Sequence, residues 1–154
     1  MVTTGATRCH SGVLERITDR SCFGRDKDGL GLQVSFCKDL RSLRGSCSGS
    51  VDAMYSGLES IDMRGAIGAN NKNESLGLQG CKGLRELNTP MLGAVNIDRS
   101  GITTLGPLFA CGPNSDGVSI VSDSRDLVAS CPELRGKVQC RIKYLACPPR
   151  DIAF

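Results

Sequence analysis

Gly45-Ser46-Cys47-Ser48-Gly49 has the spacing of a nucleophile elbow, in which a sharp strand-to-helix turn would present Cys47 as a thiol nucleophile. That arrangement needs a histidine later in the chain. The one histidine, His10, comes earlier, and no apolar strand leads directly into Gly45, so the segment reads as a Gly/Ser turn. Thiolates and imidazole are also the usual zinc ligands, and Cys131, Cys140 and Cys147 with Cys9 or His10 could be assembled into such a set. The chain has no Cys-x-x-Cys pair, the close spacing on which structural zinc sites rely, so no metal and no cofactor is expected. Asp26-Lys27-Asp28-Gly29 is similar to a fragment of a calcium loop but lacks the bidentate Glu further along, which leaves a turn.

Charge offers a second kind of chemistry. Nineteen basic residues against sixteen acidic ones give a net charge of +3. The bias is sharper near the end, where Arg135, Lys137, Arg141, Lys143 and Arg150 stand against Glu133 and Asp151. Such a patch could contact RNA phosphates or an acidic protein surface, or be a solvated terminal face. No aromatic-rich stacking motif accompanies it, so single-strand base readout has no support there.

The elements that must carry these residues are repeats. Cys37-Lys38-x-Leu40-Arg41-x-Leu43 returns as Cys81-Lys82-x-Leu84-Arg85-x-Leu87, and Ser56-Gly57-Leu58-x-x-Ile61 returns as Ser100-Gly101-Ile102-x-x-Leu105, each 44 positions later. Leu30-Gly31-Leu32-Gln33 recurs as Leu76-Gly77-Leu78-Gln79 at a distance of 46, which implies a two-residue slip before the cysteine. At 154 residues the chain fits one ordinary domain with a core of its own. Hydrophobic residues make up 40% with no Trp, so that core is expected to be aliphatic, and nineteen glycines point to frequent tight turns.

Nine cysteines could signal a secreted disulfide scaffold, but the count is odd and MVTTGATRCH carries no apolar signal-peptide core. Cys37, Cys81 and Cys131 each stand three residues before a leucine, the recurrence expected of buried free thiols. The expected compartment is therefore intracellular and reducing, the cytoplasm in the first place. No apolar run is long enough to span a bilayer, and no membrane partner is expected.

Three segments follow: a lead-in or cap over 1–28, a repeat region over 29–138, and a C-terminal cap or tail over 139–154. Val13, Leu14 and Ile17 could form a single helical face in the first. In the second, Val118, Ile120 and Val121 read as a strand. Ser122-Asp123-Ser124 then reads as a helix N-cap, with Leu127, Val128, Cys131 and Leu134 following at helical spacing. Leu76-x-Leu78-x-x-Cys81-x-x-Leu84 suits a short strand that turns sharply at its end.

Leu76-x-Leu78-x-x-Cys81-x-x-Leu84 and Leu127-Val128-Ala129-Ser130-Cys131-Pro132-Glu133-Leu134 resemble the cysteine-containing class of leucine-rich repeats. The resemblance covers about 29–138, with units of 18 to 32 residues counted from Leu40, Leu58, Leu84, Ile102 and Leu134. It implies a short, irregular α/β solenoid with a parallel sheet on one face, and protein–protein recognition without catalytic residues. The expectation is thus a non-enzymatic interaction module or a structural subunit of a larger assembly with a protein partner. An RNA-associated structural protein using Arg135, Lys137, Arg141, Lys143 and Arg150 is the alternative, and a thiol enzyme centred on Cys47 stands behind both.

Overall fold

The computed structural model describes residues 4–9, 15–18, 20–122 and 142–143. They form short strands: β1 Thr7–Arg8, β2 Arg16–Ile17, β3 Cys22–Phe23, β4 Leu30–Gln33, β5 Ser42–Cys47, β6 Ser50–Asp52, β7 Ser60–Met63, β8 Glu74–Gly77, β9 Glu86–Leu87, β10 Ala94–Asn96, β11 Thr104–Leu105, β12 Ile120–Val121 and β13 Ile142–Lys143. Every pairing between them is parallel.

The chain winds as stacked coils with three sides. Side A is the seven-stranded sheet β1-β4-β6-β8-β10-β12-β13. Side B holds β2-β5-β7 and, separately, β9-β11. Side C is the narrowest, made by β3 against the end of β5 and by the bridges Ile67–Met91 and Pro90–Ala110. On side A, Thr7 faces Leu32, Leu32 faces Val51, Val51 faces Leu76, Leu76 faces Val95 and Val95 faces Ile120. Successive coils therefore take 25, 19, 25, 19 and 25 residues, and the 44-residue period is one long coil plus one short one.

Side C turns into side A through Ser48-Gly49 or Leu92-Gly93 in the short coils, and through residues 24–29 or 68–73 in the long ones. The long loops are copies of one design. Asp26, Asn70 and Asn114, 44 apart, each accept two backbone amides on a side-chain oxygen: Asp28 and Leu30, Lys72 and Glu74, Asp116 and Val118. A short Asp or Asn side chain that captures amides two and four residues ahead stabilises a turn without help from the sheet.

Inward positions form aliphatic columns. Leu32, Val51, Leu76, Val95 and Ile120 line side A. Leu40, Leu58, Leu84 and Ile102 fill the next corner, and Phe23, Cys47, Ile67, Met91 and Cys111 line side C, all buried. Leu40 with Leu84, and Leu58 with Ile102, thus hold equivalent core positions. Each buried Leu or Ile adds about 1.5–3 kcal/mol of apolar burial.

Several sequence expectations need correction. The described residues contain no helix, so the α/β architecture is not what they form, and parallel strands occupy three sides rather than one face. The links are too short for helices. Between sides A and B the chain reverses in single turns, with Cys37, Ser56, Cys81 and Ser100 each donating its amide to the carbonyl three residues earlier. The residue before each, namely Phe36, Tyr55, Gly80 and Arg99, has positive φ. Ile17 lies in β2, not on a helical face. The two-residue slip is also absent. Leu32 is equivalent to Leu76, Leu30 to Glu74 and Val34 to Leu78, because both long-coil strands carry a bulge at the same place. Within 1–28, β1, β2 and β3 pair with β4 and β5 and so continue the stack. The expected helix at 123–134 lies outside the described residues, as does Cys131. Among the described residues no helix is long and apolar enough to cross a membrane.

Candidate functional site

Outward positions of the coils form rows just as inward ones form columns. On side A one row runs Gln33, Asp52, Gly77, Asn96, Val121. Gln33 Nε2 donates to Asp52 Oδ2 at 3.4 Å, and Asn96 Oδ1 accepts the Asp98 amide at 3.0 Å, so neighbours fix these side chains. The row interrupts itself at Gly77, and a groove of about 300 Å³ opens there between the row and the long loops. Its walls carry Asp28, Asp52 and Glu74 with Asn70, Asn96 and Asn114, and no Lys or Arg. Leu30, Met54, Ala94 and Val121 line it as well, so the groove sets acceptors along an apolar floor and suits cationic side chains with apolar stems.

The corner between sides A and B has the opposite character. Phe36 and Tyr55 stack there with ring centroids 5.4 Å apart, and Phe36 is 48% exposed. A Cβ on Gly80 would fall within the Tyr55 ring, so glycine is what lets that ring lie flat across the next coil. Arg99 Nη1 reaches the Tyr55 hydroxyl at 3.4 Å. Beyond it Lys82, Arg85, Arg99, Ser100 and Gly101 line a shallow, open depression.

No family model, no curated protein and no solved structure matches the chain. Its own residues carry the reading.

The thiols divide by environment. Cys47 points into the core, its Sγ 3.8 Å from the Ser50 carbonyl, and burial pushes its pKa from the ordinary 9.0 to about 11. A core thiol held protonated is no nucleophile, so Gly45–Gly49 is a strand end and corner rather than an elbow. Cys37 and Cys81 are buried, and each Sγ lies 3.0 Å from a carbonyl of the preceding coil, Cys9 and Ala53 respectively. Burial likewise raises Cys81. Cys22 differs. The Ser46 hydroxyl lies 3.2 Å from its Sγ and Arg64 Nη2 at 3.5 Å, and these contacts outweigh desolvation to hold the half-exposed thiol below its ordinary value.

Of the basic tail, Lys143 lies in β13, where its backbone pairs with Val121. Arg135, Lys137, Arg141 and Arg150 lie outside the described residues. The structure instead brings together Lys82, Arg85 and Arg99. A comparison of the two 44-residue copies position by position would have found them, since Tyr55 gives way to Arg99 and Glu59 to Thr103 at this corner.

Proposed function

We propose that the protein is a non-enzymatic interaction module, or a subunit of a larger assembly, that binds a protein partner on side A. The observation carrying this reading is the groove centred on Gly77, whose floor is the long parallel sheet and whose acceptors Asp52, Asn70 and Asn96 are each held by a hydrogen bond. A preformed surface of this kind binds without an ordering cost in the scaffold. The buried Cys37-x-x-Leu40 and Cys81-x-x-Leu84 ladder supports kinship with leucine-rich repeats, with tight β-turns in place of the helices on the far side.

Gly77→Tyr tests the proposal. A Cβ at Gly77 meets only Asp52, at ordinary contact distance, and the backbone does not need glycine there, so the fold tolerates a side chain that fills the groove. Unchanged thermal unfolding with loss of the protein that co-purifies with the native chain is the expected result. Retention of that partner by Gly77→Tyr, or co-purification of RNA alone, would count against side A as the binding face.

A further inference from the structure

The corner between sides A and B is built twice, and the second copy redistributes its acids. In the first copy Lys38 and Arg41 sit with Asp39 and Glu59, and Arg41 Nε lies 3.9 Å from Glu59 Oε1. In the second, 44 residues on, Lys82 and Arg85 remain exposed; Gly83 replaces Asp39 and Thr103 replaces Glu59, while Glu86 stands in place of Ser42 and Asp98 in place of Met54. Thr103 turns to the backbone, its amide 2.9 Å and its Oγ1 3.5 Å from the Arg85 carbonyl. Among the described residues no carboxylate pairs with Lys82 or Arg85. Where the first copy places Tyr55, the second places a third cation, Arg99, which the Tyr55 hydroxyl helps to position. Lys82, Arg85 and Arg99 thus line one open depression with Ser100 and Gly101, and among the described residues no carboxylate lines it with them.

We infer that Lys82, Arg85 and Arg99 form a site for a phosphate monoester carried on a side chain of the protein partner. Two guanidinium groups and an ammonium lining one depression suit a dianionic group with several acceptor oxygens, whereas a lone carboxylate needs one arginine. The inference rests on the protein-binding reading for the carrier alone; the site and the side-A groove are separate surfaces.

Titration of the full chain with O-phospho-L-serine, followed by amide and guanidinium NMR shifts, tests this. Saturable shifts confined to residues 82–85 and 99–101, with inorganic phosphate competing, are expected. Arg85→Gln should weaken binding about tenfold or more. Thr103→Glu, which restores the acid of the first copy without removing a cation, should weaken it comparably, and Arg41→Gln should leave it unchanged. Three outcomes overturn the site: shifts that do not saturate, equal shifts at Lys38 and Arg41, or a single-stranded oligonucleotide that binds more tightly than O-phospho-L-serine and is insensitive to Arg85→Gln. Loss of the partner with Gly77→Tyr while phosphoserine still binds would separate the two proposals, and so would the reverse.

Discussion

The Asn71 amide donates to the Asp28 carbonyl at 3.0 Å, joining one long loop to the equivalent loop 44 residues earlier. Ser115 repeats the contact on the Lys72 carbonyl at 2.9 Å, so the three loops form a stack of their own beside side A. Asn70 organises the middle member. Asn70→Ala, which strips the Lys72 and Glu74 amides of their acceptor, should cost about 1–2 kcal/mol by urea unfolding. Asn70→Asp should stay within about 0.5 kcal/mol, because Asp26 already performs that role in the preceding loop.

Asp26 supplies an acid-dependent counterpart. Desolvation would raise its pKa, but the Leu30 and Asp28 amides and Arg8 outweigh it and hold the carboxyl below 3.8. A carboxylate depressed in the folded state contributes stability that is present above its unfolded pKa and lost as pH falls through the folded value. The difference in stability between the native chain and Asp26→Asn should therefore shrink as pH drops below about 4. A difference constant from pH 7 to pH 2 would show that the charge plays no part.

Leu84 tests the core columns. It is buried between the equivalent corners of its neighbours, and Leu84→Ala should cost about 2–5 kcal/mol. Leu92, 67% exposed at a short-coil corner, should lose less than about 0.5 kcal/mol on the same truncation. Equal losses at both positions would contradict the inward and outward assignment.

The described thiols should label in a set order. In the native protein an alkylating reagent at pH 7 should modify Cys22 well before Cys37, Cys47 or Cys81, which react only on unfolding. Arg64→Ala should slow Cys22 at neutral pH and move its rate profile upward in pH. Cys47 provides the alkaline signature: with its folded pKa raised to about 11, its stabilising contribution is complete below 9.0 and declines as pH climbs toward 11. Cys47→Ala should flatten that part of the stability profile, and peptide mass spectrometry reads the labelling.

The 44-residue period was legible because Cys37 with Cys81 and Leu40 with Leu84 are identities held by burial. The coil itself was not. Its two turns differ in length and place Cys in one and Ser in the other, so Leu40, Leu58, Leu84 and Ile102 look irregularly spaced when they in fact alternate. Leu30 and Leu76 matched as letters although their strands align Leu30 with Glu74, since side chains repeat every second residue along a strand and the motif fits two residues out of step as well as in step. Helices were expected from Val13, Leu14 and Ile17, from Ser122-Asp123-Ser124 and from the resemblance to leucine-rich repeats, whereas Ile17 lies in β2 and the described links between strands are single turns and Asx loops. The cationic cleft stayed hidden because its residues come from two coils, with Lys82 and Arg85 on one and Arg99 on the next.

Along the corner after side A, thiol and hydroxyl take turns: Cys37, Ser56, Cys81, Ser100, with Ser56 Oγ 3.4 Å from Cys81 Sγ. Neighbouring coils lie about 4.8 Å apart, a separation at which two cysteines could close a disulfide, whereas alternate coils stand about 9.6 Å apart and cannot. Each serine therefore acts as an insulator between oxidisable rungs. A stack lengthened or shortened by whole 44-residue units keeps Cys37 and Cys81 isolated, while loss of the 25-residue coil that carries Ser56 would set Cys37 on Cys81 and make the core of the protein sensitive to oxidants.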